Sequence, residues 1–257
     1  MVSGAPMGLS VPILPGGHFP PSHEKSTMDV NTLDKLPRCT KNHASYNECV
    51  VGDRPPAWDL LEEQVNSGFA RLFESKEAAE DYMGESVHPA PLGCVSKAKD
   101  DGTWKHRLIQ DLRANHVNAA VQLPERQVLP RGVDHGRDMA KLAALRGNED
   151  KVKTLILDFK DAFMSVPLDL GEQRFNCAFA EFDLKRSREV LYDEEPKVGR
   201  FVVWRVLGFG GKPNPLIFSR VASVASRIVV SPDCQKVNCL RFHLLGNQLS
   251  TGPRKRS

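Results

Sequence analysis

The sequence predicts an α+β fold, and three observations carry that prediction. Some segments repeat apolar residues at three- and four-residue steps, whereas others are short apolar runs suited to buried strands. The two kinds of segment do not alternate as a doubly wound sheet would require. Glycine, proline and aspartate stand at the boundaries between them, as turn chemistry demands.

Residues 1–57 are rich in proline, glycine, serine and histidine and hold no sustained period, so they read as a disordered or polyprotein-derived arm. From Trp58 the pattern turns helical, with Leu60, Leu61, Val65, Phe69, Leu72 and Phe73 at helical steps. Ser75 is placed to cap a second short helix that stops before Gly84. Strands are expected over Leu92–Lys97 and Lys105–Asp111, joined by a hairpin turn at Asp101-Gly102. Arg137–Arg146 reads as an amphipathic helix closed by Gly147, and Thr154–Asp158 as a buried strand. The charged stretch Asp183–Gly199 reads as an exposed hairpin or insertion. Arg200–Val206 is expected as a strand and Pro215–Val230 as a helix.

With 257 residues the chain can build one sizeable domain or two small ones, and its net charge of +3 creates no whole-molecule field that demands nucleic acid. Charge is more telling locally: seven Lys or Arg face four acids between Pro91 and Arg131, a pattern that suits phosphate contacts or a solvated face. The six cysteines form no CxxC pair. Cys39, His43 and Cys49, and again Cys234, Cys239 and His243, offer three zinc ligands each at irregular spacing, where a structural site wants four. Reduced thiols in a soluble intracellular protein, cytoplasmic or nuclear, are the expectation. No basic segment precedes an apolar leader, and no apolar run approaches a membrane span.

Three blocks carry chemistry. The first runs from Lys97-Ala98-Lys99-Asp100-Asp101-Gly102-Thr103-Trp104 into Arg107-Leu108-Ile109-Gln110-Asp111-Leu112-Arg113. The second, Leu157-Asp158-Phe159-Lys160-Asp161-Ala162-Phe163, ends in Pro167-Leu168. The third is Leu207-Gly208-Phe209-Gly210-Gly211-Lys212-Pro213-Asn214-Pro215-Leu216-Ile217-Phe218. A carboxylate at a strand end can hold a hard divalent cation, and glycines let backbone approach a ligand. On their own, each block also fits an ordinary capped turn.

In this order the three blocks resemble the fingers and palm of reverse transcriptases of the retroviral and long-terminal-repeat retrotransposon type, over about Ala90–Arg227 and with a possible start near Trp58. The resemblance implies an α+β fingers and incomplete palm over 58–227. It implies Asp158 as the catalytic carboxylate, binding Mg²⁺ or Mn²⁺, and partners in an RNA or DNA template–primer and a deoxynucleoside triphosphate. Two such ions would activate the primer 3′-oxygen and neutralise the leaving pyrophosphate. Asp161 and Ala162 would lie at the turn whose amides hold the triphosphate. Phe163 would lie beneath the incoming sugar and exclude a 2′-hydroxyl by bulk; a core phenylalanine is its plain alternative. Arg107 would pack over the base and reach the triphosphate. Lys97 and Lys99 compete for the phosphate-binding lysine. Phe209 and Gly210 would line the nucleotide site, Asp111 and Arg113 would pair with each other, and Lys212 and Arg220 would meet template phosphate or solvent.

The family also carries a later Tyr-x-Asp-Asp hairpin that completes the metal site, and this chain has none. Asp233 is the one acid after Arg227, and the one Asp-Asp pair, Asp100-Asp101, lies in the fingers turn. Residues 228–257 read as a divergent basic tail, from frameshift, intron retention or a mis-assigned exon. The expectation is a fragment of a retroelement reverse transcriptase, truncated before that motif and inactive as this chain unless another chain supplies the missing palm. A non-catalytic nucleic-acid-binding remnant and a translated pseudogene product are the alternatives.

Overall fold

A computed structural model describes residues 4–37, 41–129, 131–146, 158–182 and 198–230. Within them the fold mixes helix and antiparallel sheet, as an α+β class requires. The first helix is the short α1, Val30–Asp34, capped by Asp29, whose Oδ1 accepts from Thr32 N at 2.9 Å. The second, α2 (Pro56–Asn66), begins with proline at its first turn, where no N–H is needed, and buries Ala57, Trp58 and Leu61. It stops at Ser67, and Gly68 follows at φ +75°.

That stop corrects the predicted helical period. Phe69, Leu72 and Phe73 continue the spacing of α2 but lie beyond Gly68, and Ala70–Phe73 form strand β1. Helix α3 (Lys76–Met83) matches expectation: Ser75 Oγ accepts from Ala78 N at 3.2 Å, and Gly84, at φ +72°, donates its N–H to Glu80 O.

Strands β2 (Leu92–Ala98) and β3 (Trp104–Gln110) pair antiparallel in a register that sets Lys97 opposite Lys105. Their turn is fastened by Asp101, whose Oδ1 accepts from the Thr103 N–H and hydroxyl at 2.9 and 2.5 Å. Helices α4 (Val117–Ala120) and α5 (Gly132–Arg146) follow; α5 begins five residues earlier than the expected Arg137–Arg146. The predicted strand Thr154–Asp158 lies outside the described residues except for Asp158 itself. The same holds for most of the expected insertion at 183–199.

Strands β4 (Cys177–Phe182) and β5 (Val198–Trp204) form a second antiparallel pair, and β1 adds to the far edge of β5, giving the order β1-β5-β4. As the central strand, β5 is buried on both faces: Val202 and Trp204 pack with Trp58, Leu61 and Leu108, while Phe201 and Val203 pack with Ala79 and Val87. Helix α6 (Asn214–Val230) closes the described chain, with Leu216 and Ile217 buried.

The amino-terminal arm departs from the expectation of disorder. Met7, Ile13 and Leu33 are buried in one cluster with Leu112, Val117, Leu168, Phe175 and Leu207. Polar contacts that no local pattern announces hold the arm. The buried Glu172 carboxylate accepts from Val11 N at 2.5 Å, and the equally buried Glu125 accepts from Gly17 N at 2.5 Å and Arg220 Nη2 at 2.6 Å. At α1, Asp34 Oδ1 meets both His88 Nε2 and Arg174 Nη1, at 2.6 and 3.0 Å. Among the described residues, no helix is long and apolar enough to cross a membrane.

Candidate functional site

The three sequence blocks meet in space. Gln110, the last residue of β3, donates its backbone N–H to Phe209 O at 2.9 Å, which fastens the hairpin to the glycine-rich turn. That turn is gripped from two further sides. Asn118 donates its side-chain amide to Gly210 O at 2.9 Å and accepts from Lys212 N at 2.8 Å. Asn214, at the start of α6, donates to Gly208 O at 2.6 Å. Gly210 has φ +130°, and a Cβ there would stand 1.8 Å from Gln110 O, so only glycine fits.

Aromatic contacts complete the meeting. The Arg107 guanidinium lies over the Phe209 ring at 5.8 Å, within cation–π range. Phe163 meets Phe209 edge-on at 5.5 Å and Phe218 at 5.8 Å, and Phe159 meets Phe218 at 5.5 Å. Edge-to-face pairs of this kind fix ring orientation as well as burying surface. Phe163 is half-buried and packs against the core cluster.

Asp158 is exposed and directly precedes Phe159 at the border of this aromatic cluster. Asp161 is exposed too, at φ +50°, a left-handed conformation that aspartate tolerates better than most residues. Its backbone carbonyl accepts from Ser165 N, and its carboxylate lies 3.9 Å from Lys160 Nζ, an exposed contact of little energetic weight. Ala162 O accepts from Ser165 Oγ at 2.7 Å, which tightens the same turn.

Lys97 lies on β2 and Lys99 opens the hairpin turn; both are exposed, and neither forms an ion pair among the described residues. The expected Asp111–Arg113 pair is corrected. Asp111 Oδ1 instead caps the backbone N–H groups of Arg113 and Ala114, and its Oδ2 meets His43 Nε2 at 3.0 Å. Lys212 pairs with Glu24 and Arg220 with Glu125, each at 2.6 Å.

Among the described residues, no group of three or more His, Cys, Asp or Glu side chains is placed to hold a metal ion. A two-ion centre draws on several carboxylates, and exposed Asp158 alone does not make up that donor set. Of the zinc candidates, His43 is engaged by Asp111 and Cys49 is exposed, while Cys39, Cys234, Cys239 and His243 lie outside the described residues. Burial raises the Cys94 thiol above its ordinary range, so it is held as a neutral, unreactive group.

Gln110, Asn118 and Phe218 were not legible as site residues. Gln110 and Asn118 act by clamping backbone far away in sequence, and neither carries a local signal of that role. No protein-family model matches the chain, and no curated protein matches it.

Proposed function

We propose that this chain is the fingers and an incomplete palm of a retroelement-type reverse transcriptase, and that as this chain it binds nucleic acid without catalysing synthesis. The single observation that best supports this reading is the convergence of the three blocks: Arg107 over Phe209, Phe209 against Phe163, and Gln110 bonded to the turn carrying Phe209 and Gly210. Separated widely in sequence, they form one aromatic and cationic surface suited to a nucleoside triphosphate.

In that reading, Arg107 supplies charge to the triphosphate and a planar face to the base. The half-buried Phe163 lies under the sugar and admits deoxynucleotides by excluding a 2′-hydroxyl. Asp158 is the carboxylate assigned to Mg²⁺ or Mn²⁺, and among the described residues no second one joins it in a metal-binding group. Electrostatic neutralisation of the developing charge then loses most of its strength, because a single carboxylate does not hold two divalent cations against their mutual repulsion.

The test is template–primer binding together with primer extension in Mg²⁺ and in Mn²⁺. Expected are salt-sensitive binding weakened by Arg107→Ala, and no extension. Extension abolished by Asp158→Ala would overturn the inactive assignment. Absence of binding at low salt would sink the reading as a whole.

A further inference from the structure

The amino-terminal arm runs past the glycine-rich turn and sets a carboxylate on one of that turn's cations. Residues 20–27 lie along residues 119–126. Pro21 and Glu125 form an antiparallel bridge; Ser22 N donates to Pro124 O at 3.0 Å, and Arg126 N to Pro20 O at 2.8 Å. Farther on, Ser26 N donates to Gln122 Oε1 at 2.8 Å, Gln122 Nε2 to Glu24 O at 3.0 Å, and Thr27 N to Ala119 O at 3.0 Å. Glu24 is thus held through its backbone while its side chain reaches Lys212 Nζ at 2.6 Å.

Lys212 belongs to the turn that carries Phe209 and Gly210: Asn118 accepts from its N–H and donates to the Gly210 carbonyl. The arm covers a second cation, Arg220 of α6. Gly17 N donates to Glu125, the partner of Arg220, and a Cβ on Gly16 would stand 3.3 Å from Arg220 Nε. Arg107, by contrast, is exposed and enters no ion pair among the described residues.

The two attachments differ in kind. Glu125 is 2% exposed, so its hydrogen bonds resist breaking. The Glu24 side chain is 66% exposed and can swing into water without moving the backbone. Such a pair adds little to stability, yet it leaves Lys212 with an anion already on it. A nucleic-acid phosphate is the fitting competitor: it offers the same charged oxygens, on a polyanion whose binding gains from counterion release.

We infer that residues 16–27 form an autoinhibitory strap, in which Glu24 occupies Lys212 in place of a nucleic-acid phosphate and yields it when a template–primer binds. This rests on the reading of the chain as a nucleic-acid binder and adds to it a competitor supplied by the chain's own arm.

A double-mutant cycle in the full-length protein tests the strap, with affinity for a labelled template–primer followed by anisotropy across a salt series. Expected for Glu24→Gln is a gain of about five- to tenfold at about 0.1 M salt, with a log–log salt slope steeper by about 0.9, as one added phosphate contact requires. In a Lys212→Gln background most of that gain should vanish, because the freed cation is gone. An equal gain in both backgrounds would mean that the lost negative charge acts at a distance, and overturns the strap. No gain in either background, with the wild type still binding, overturns it too and leaves the proposed function standing. If the wild type and Glu24→Gln both fail to bind at low salt, the proposed function falls and the strap with it.

Discussion

Gly210→Ala is the substitution on which the joining of hairpin and turn most directly depends. An alanine Cβ would lie 1.8 Å from Gln110 O, a backbone atom that no rotamer change can move aside. To reach ordinary contact the turn must retreat by more than an ångström, which breaks the Gln110 N–H to Phe209 O bond. A side chain at φ +130° adds strain of about 1–3 kcal/mol, and the lost bond about 1 kcal/mol. The expected destabilisation is therefore about 2–4 kcal/mol, a fall in Tm of roughly 5–15 °C for a chain of this size. Gly208→Ala is the control: its Cβ would meet the end of the Gln110 side chain at 2.7 Å, a group that can swing away, so its loss should be smaller. Thermal unfolding followed by circular dichroism measures both, and binding by the Arg107 surface should weaken in step with Gly210→Ala. A Gly210→Ala protein that melts with the wild type and binds equally well would refute the pinned turn and, with it, the convergence on which the proposed function rests.

Other outcomes follow from the same contacts. Ser75→Ala should cost about 1 kcal/mol by removing the cap of α3, read as a lower urea midpoint. Glu125→Gln should weaken the buried contact with Arg220 by about 2 kcal/mol and speed proteolytic cleavage within residues 4–37, whereas the Lys212–Glu24 pair, more exposed, should matter little. Burial raises the Glu172 carboxyl above the usual glutamate range, and N–H groups of Val11, Leu9, Met7 and Ser10 offset this only in part. The folded state thus holds that proton more tightly than the unfolded chain. Its contribution to stability is complete below about pH 4.3 and declines as pH rises through the folded value, and Glu172→Gln should flatten that slope in denaturation curves across pH.

Local chemistry made much of this fold legible. The β2–β3 hairpin, the cap at Ser75 and the stop at Gly84 depend on neighbours within a few residues, and the structure holds them as read. The strand β1 was hidden because Phe69, Leu72 and Phe73 fall on the helical period of α2; the signal against helix was Ser67-Gly68, whose left-handed glycine ends it. Strand β4 carries a partial alternation in Cys177–Phe182 that passed unread. The packing of the arm was hidden for a different reason. Its composition is that of a loop, and it is held by Glu125, Glu172 and Arg174, residues far along the chain whose partners no local window contains. At the candidate site, it was the resemblance that implied Arg107, Phe163, Phe209 and Gly210, and the structure sets these residues near one another. The clamps at Gln110 and Asn118, and the pairing of Asp111 with His43 rather than Arg113, depend on tertiary geometry alone.

The order β1-β5-β4 also bears on how the protein is made. Its central strand is the last of the three to be synthesised, and its partner Ala70–Phe73 is translated long before it. At about 5–20 residues per second, the ribosome holds β1 without its neighbour for roughly 6–25 seconds. Through that interval the apolar stripe of Trp58 and Leu61 has no Val202 or Trp204 to cover it, and the edge of β1 is open to other chains. Closure then requires contacts of long sequence separation, which are the slow ones. The nascent chain should therefore depend on chaperone occupancy between the emergence of α3 and that of β5, and overexpression without it should drive the product into inclusion bodies.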